Sequence, residues 1–291
     1  MPASNDISPI IIIGAPRSGT NMLRDLISQF DNHGTWPCDE INLIWRYGNR
    51  DFNSDEFTRE MATPAVCEYI KRKFDNQKKA LGKENLVEKT CANSLRVGFV
   101  DQIFPDARYI FIVRDGVDVV SSAQKRWRAP LDIPYLLAKV RYVPKSDLLF
   151  YGWKFLKSRL FKVFSKEKRV KLWGPKFHGM HSMLLINTLN EVCAFQWQRC
   201  VESSERDLAQ IDPGRVFKIK YEDLVTQTEA TLIEISGFLS VSLSSQQLSA
   251  LANNVSSRSV GKGRGILGDE ISAELEKLIG STLTKQGYCC E

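Results

Sequence analysis

Several things are scarce in this chain of 291 residues. No apolar run approaches the roughly 20 residues that a membrane-crossing helix needs. The first such run, Ile10 to Ile13, stops at Gly14. Met1 to Pro9 is polar and lacks the charged and then apolar stretches of a secretory leader. A cytoplasmic chain is therefore expected, with attachment at a membrane periphery as the variant. The seven cysteines are odd in number and include no Cys-x-x-Cys pair, which argues against a disulfide framework and a zinc site alike. Free thiols in a reducing compartment are the simpler reading, with Cys289 and Cys290 as two thiols on a tail. Histidine is rarer still: His33, His178 and His181 are the whole set. Nothing beside His178 and His181 completes a ligand set, so no metal is expected.

What is present is ordinary for a globular protein, with 43% apolar and 25% charged residues. The charge, however, is unevenly spread. Of the net +6, the segment from Gln124 to Trp173 holds fourteen Lys/Arg against three Asp/Glu, so +11, which leaves −5 for the rest. Such a patch suits an anionic partner. Within it, Leu149, Trp153, Leu156, Leu160, Phe161 and Phe164 follow helical spacing with lysines and arginines between them. Residues 126–190 read as a helical, basic insertion. Its stretch 148–171 suits an anionic membrane surface, an acidic polysaccharide, or a lid packed on the core. No nucleic-acid recognition motif accompanies the patch, so nucleic acid is not an expected partner.

Around the insertion, short β-branched runs alternate with helical patterns. Ile10–Ile13, Tyr109–Val113 and Val216–Lys220 read as buried strands, and Leu86–Lys89 as a weaker one. Helices are expected after Gly19, after Gly116, from Thr188 to Glu202, and from Tyr221 through Phe238. This alternation predicts one α/β domain over residues 1–291, with a mostly parallel sheet flanked by helices. Ligands of such sheets bind beyond the C-terminal strand ends, where Gly14 and Arg114 stand.

Gly14-Ala-Pro-Arg-Ser-Gly-Thr-Asn21 lies between a strand and a helix. Glycines allow close backbone approach, and the unpaired N–H groups of a helix start point at a bound anion. Arg17 supplies a cation with several donors. The glycine spacing, Gly14 to Gly19, is that of a Walker A loop, but Thr20 stands where that loop has its lysine. A nucleoside kinase or triphosphatase is the alternative that this absence disfavours.

Ala15-Pro16-Arg17-Ser18-Gly19-Thr20 resembles the 5′-phosphosulfate loop of sulfotransferases that use 3′-phosphoadenosine 5′-phosphosulfate (PAPS). Tyr109 to Ser122 is similar to their 3′-phosphate motif, in which an arginine after the strand and a serine eight residues later hold the phosphate; these map to Arg114 and Ser122. Gly263-Arg264-Gly265-Ile-Leu-Gly268-Asp269 is similar to the loop that closes over the 3′-phosphate, except that Gly263 replaces its first basic residue, with Lys262 or Arg258 as substitutes. The resemblance, over 10–125 and 215–270, implies a P-loop-like sulfotransferase fold with a helical insertion. It also implies PAPS as co-substrate, bound by Pro16, Arg17, Ser18, Gly19, Thr20, Asn21, Arg114, Ser122, Lys262, Arg264 and Gly265. Sulfuryl transfer needs charge stabilisation and a base for the acceptor hydroxyl. Arg17 and Lys89 are the candidates for the first. In small-molecule members a histidine follows the Lys-Thr pair; here Cys91 follows Lys89-Thr90. Other members use a glutamate after the loop, which implies Glu40 as base, with Asp39 and His33 as rivals. A glutamate-type base implies a carbohydrate or glycan acceptor, with a lipid or tyrosine acceptor as the alternative.

Overall fold

The computed structural model describes residues 8–129 and 173–288. Five strands form one sheet: β1 (Ile10–Ile13), β2 (His33–Thr35), β3 (Asn85–Lys89), β4 (Arg108–Val113) and β5 (Val216–Lys220). Their order is β2-β3-β1-β4-β5, and all neighbours run parallel. Twelve α-helices and three short 3-10 helices (Arg59–Met61, Cys91–Leu95 and Pro213–Arg215) complete the described elements. The α-helices are α1 (Thr20–Ile27), α2 (Asn42–Trp45), α3 (Pro64–Leu81), α4 (Val97–Ile103), α5 (Gly116–Arg128) and α6 (Met180–Ile186). There follow α7 (Leu189–Leu208), α8 (Tyr221–Thr226), α9 (Thr228–Leu239), α10 (Ser245–Ala252), α11 (Lys262–Leu267) and α12 (Asp269–Lys285).

β1 shows why the sheet is two-faced. All four isoleucines are buried, and pleating sends alternate side chains to opposite layers. Ile11 and Ile13 join Tyr109, Phe111, Val113 and Trp197 on one side. Ile10 and Ile12 join Ile110, Ile112, Leu23 and Leu232 on the other. Each such side chain contributes roughly 1.5–3 kcal/mol on burial. A strand buried on both faces needs the continuous apolar run seen in the sequence.

The expected strands are present, and β2 is an addition. His-Gly-Thr carries no apolar residue and sits at the sheet edge, paired to β3 through His33↔Asn85 and Thr35↔Val87. The helix expected through Phe238 is two helices, because Gln227 leaves helical geometry at φ −129°, ψ 47°. α7 is capped by the expected Thr188, whose hydroxyl accepts from the Glu191 N–H while the Glu191 carboxylate accepts from the Thr188 N–H. It runs six residues past the expected Glu202, to Leu208. The basic helix expected at 148–171 lies outside the described residues. Among the described residues no helix is long and apolar enough to cross a membrane.

Candidate functional site

Strands β1, β3, β4 and β5 end side by side, and the segments that leave them wall a cavity of about 580 Å³. It is lined by Pro16, Arg17, Gly19, Thr20 and Asn21 from the first loop. Glu40, Lys89, Arg114, Ser122 and Lys262 complete the expected residues that line it. Stretches separated by more than 200 residues thus face one space because a parallel sheet delivers every strand end to the same edge.

The loop is shaped by two left-handed residues, Arg17 at φ 73° and Gly19 at φ 86°. Gly19 has a second reason to lack a side chain: a Cβ there would sit 2.4 Å from the Tyr221 ring. Gly14 is equally confined, since its Cβ would meet the Ile112 carbonyl oxygen at 2.7 Å. α1 then starts without a side-chain cap and without an acid in its first turn. Its leading N–H groups and partial positive charge are directed at the loop. A left-handed arginine costs about 1–2 kcal/mol, which its surroundings must offset. Arg17 Nε donates to Ser122 Oγ at 2.9 Å, and its carbonyl accepts from Arg114 Nη1 at 3.2 Å. Burial depresses the Arg17 pKa, and the like charges of Arg126 and Arg114 depress it further.

Arg114 is held on all sides. Its Nη2 donates to the Asp118 carboxylate at 3.2 Å and to the Ser259 carbonyl at 2.6 Å, and its guanidinium lies 4.3 Å over the Tyr221 ring. The Tyr221 hydroxyl meets Ser259 Oγ at 2.5 Å. Arg114 Nε and Ser18 Oγ are buried with no hydrogen-bond partner among the described residues. Ser18 is therefore not a cavity-lining residue; its side chain turns into the protein.

Lys89 and Glu40 meet at the cavity floor. Lys89 Nζ donates to Glu40 Oε1 at 3.0 Å, and the Cys91 N–H donates to the same oxygen at 3.3 Å. The Glu40 side chain keeps 27% exposure while that of Lys89 keeps 3%. Burial opposes the Lys89 charge, yet the Glu40 carboxylate, paired and hydrogen-bonded to it, holds its pKa above the usual value. Burial and the neighbouring Glu40 push the Cys91 thiol far up, so the residue standing in the histidine's place is a neutral thiol.

The rivals to Glu40 separate cleanly. Asp39 lines the cavity but leans on Arg24, at 3.8 Å. His33 opens β2 opposite Asn85, four residues from Lys89 along the partner strand, so it faces the other end of the sheet. His178 and His181 are exposed outside the cavity, and the His178 N–H donates to Glu56 at 2.8 Å. No group of three or more His, Cys, Asp or Glu suited to a metal ion occurs among the described residues.

The C-terminal segment departs from the sequence reading. Lys262 is exposed and lines the cavity, but Arg264 and Gly265 lie outside it. Arg264 reaches Asp115 at 3.2 Å and Glu276 at 2.8 Å on the far side of α11. The glycine at 263 has a steric cause. A Cβ there would come within 2.7 Å of the Asp118 backbone, because the Gly263 N–H donates to Asp118 Oδ1 at 2.6 Å.

Sequence reasoning missed Asp118, Tyr221 and Ser259 as site residues. Asp118 stands one helical turn after Arg114, and Tyr221 directly follows β5, so both carried a positional signal. Ser259 carried none. Six cationic side chains line the cavity (Arg17, Lys89, Arg114, Lys125, Arg126 and Lys262) against the carboxylates of Asp39, Glu40 and Asp118. That balance fits a multiply charged anion.

Comparison with known proteins agrees with this geometry. Residues 9–135 match the model of a family described as the sulfotransferase family. Nodulation protein NoeE of Sinorhizobium fredii is 23% identical over 144 residues, which is 44% of this chain and 34% of that protein. The chain thus matches about a third of this curated relative's length. The fold is similar to the sulfotransferase domain from the curacin biosynthetic pathway, with TM-score 0.54, 14% identity, and 98% and 99% of the two chains covered. It is also similar to sulfotransferase STF9 from Mycobacterium avium (TM-score 0.53, 13% identity, 96% and 77% covered). Mouse sulfotransferase SULT7A1 complexed with PAP aligns at TM-score 0.50 and 14% identity, over 95% and 85%.

Proposed function

We propose that this chain, whose residues 9–135 match a sulfotransferase family model, moves the sulfuryl group of PAPS to an acceptor hydroxyl, with Glu40 as the base. One observation carries the reading: Arg17 of the first loop is hydrogen-bonded to Ser122 of the second anion motif. Two anion sites, 105 residues apart in sequence, are thereby set side by side. A donor with phosphate at the 3′ position and phosphosulfate at the 5′ position needs both, whereas a nucleoside triphosphate needs one.

The residues fit the donor's charges. The Gly14–Asn21 loop and the start of α1 would hold the 5′ end, with Arg17 the cation beside it. Arg114, Ser122 and Lys262 would hold the 3′-phosphate. The donor supplies an activated sulfuryl group; the protein supplies position and charge. Glu40 would take the proton of the acceptor hydroxyl, since its carboxylate reaches both the cavity and Lys89. Lys89 orients that carboxylate and adds positive charge at the floor.

The acceptor proposed is a carbohydrate or glycan hydroxyl. Support comes from the glutamate-type base, the protonated thiol in place of a histidine, and Trp173 at the cavity wall as a surface for a sugar ring. Calorimetry with PAP and with magnesium ATP tests the donor. Tighter binding of PAP is expected; preferential binding of ATP would overturn the reading. Transfer of labelled sulfate from PAPS to oligosaccharides but not to phenols tests the acceptor.

A further inference from the structure

The segment 256–268 reaches the cavity through a six-residue helix that two aspartates of α5 fasten from below. Asp118 is buried and accepts from the Gly261 N–H at 2.9 Å and the Gly263 N–H at 2.6 Å, while also pairing with Arg114. Asp115 caps α5 by accepting from the N–H groups of Val117 and Asp118, and its other oxygen meets Arg264 Nη1 at 3.2 Å. Arg264 Nε and Nη2 both lie 2.8 Å from Glu276 Oε1 on α12. These two acids raise the Arg264 pKa despite its partial burial.

Lys262 is placed differently. It has no carboxylate partner among the described residues, and it lines the cavity two residues from a guanidinium that does not. α11 turns about 100° per residue, so side chains two apart point to opposed sides of its axis. One of the two cations on α11 can therefore face the anion site only if the other faces away.

We infer that Arg264 is a positioning residue, tying α11 to Asp115 and Glu276 so that Lys262 is the cation presented to the 3′-phosphate. This rests on the donor reading given above. Charge facing a phosphate in the open cavity is screened by added salt, whereas a tie between half-buried partners within the fold is felt mainly as order in the segment. Asp118 completes the device. One carboxylate fixes both Arg114 and the backbone on either side of Lys262, so the two cations are set at a common spacing.

Two measurements on the full chain test this. The first is hydrogen exchange of residues 256–268 without nucleotide. Arg264→Gln and Glu276→Gln should each speed exchange there, and Lys262→Gln should not. Unchanged exchange in Arg264→Gln would overturn the inference whatever the nucleotide specificity proves to be. The second is PAP affinity at rising salt. Lys262→Gln should weaken binding about tenfold, equivalent to about 1.4 kcal/mol, and make it less sensitive to salt. Arg264→Gln and Glu276→Gln should weaken it less, with wild-type salt sensitivity, and the double variant should be no worse than either single one. Arg264→Gln that loses salt sensitivity while Glu276→Gln binds normally would make Arg264 a phosphate ligand and sink the proposal. Wild-type protein that ignores PAP would instead refute the donor reading, with the exchange result still deciding the role of Arg264.

Discussion

Lys89 Nζ lies 3.0 Å from Glu40 Oε1, across 49 residues of sequence. The contact joins the last residue of β3 to the loop between β2 and α2, and it turns the carboxylate toward the cavity. A base must be held within reach of the proton it removes, and in the proposed reading Lys89 is what holds Glu40 there.

Glu40→Gln is isosteric and keeps an acceptor oxygen for Lys89 but cannot take a proton. Turnover should fall at least about 100-fold, in the range of a lost general base. PAP affinity should stay within about threefold. Steady-state rates with calorimetry check this, and undiminished turnover would remove Glu40 from the role of base.

Cys91 tests the same assignment from the other side. Its thiol is buried and pushed far above the ordinary value, so it is neither nucleophile nor base near neutral pH. Cys91→Ser should keep turnover within about fivefold and leave the pH–rate profile in place. Alkylation by iodoacetamide at pH 7.5 should be slow at this thiol. A shifted profile in the serine variant would contradict the assignment.

Gly19 and Gly82 both have positive φ, but only Gly19 faces an obstacle, the Tyr221 ring. Gly82→Ala, with nothing within 4 Å, should cost about 1 kcal/mol of stability and leave PAP binding alone. Gly19→Ala should abolish binding by displacing either the loop or Tyr221. Thermal unfolding and calorimetry on the pair separate backbone strain from collision. Equal effects would mean that Tyr221 does not shape the loop.

Glu205 sets an acid limit on stability. Burial works against its charge, but the hydrogen bond from Lys218 at 2.8 Å and the Lys285 ammonium 2.9 Å away hold the folded pKa down at about 2, against 4.5 for the free group. A depressed acid stabilises the fold above its unfolded pKa and loses that contribution as pH falls from about 4.5 toward 2. Glu205→Gln should therefore be less stable than wild type at pH 7, with the difference closing across that window. Denaturant midpoints measured from pH 7 to 3 would show it; a constant difference would rule out the ionic origin.

Four of the five strands and the first loop are legible in the amino-acid sequence. Ile10–Ile13 and Tyr109–Val113 are continuous apolar runs, and only a strand covered on both faces uses such runs fully. Gly14, Arg17 and Gly19 carried the anion loop, because their conformational and charge properties are local. β2 escaped notice, since three residues without an apolar side chain depend wholly on pairing with β3. Which side chains share the cavity depends instead on long-range packing. Lys262 and Arg264 are alike in sequence, yet they diverge because α11 is fastened to Asp115, Asp118 and Glu276, residues 12 to 149 positions away. Tyr221 and Ser259 likewise join the site through contacts with Gly19 and Arg114 that no local pattern encodes. Conformational preference is written in neighbouring residues; charge pairing is settled by whichever partners the packed sheet brings within reach.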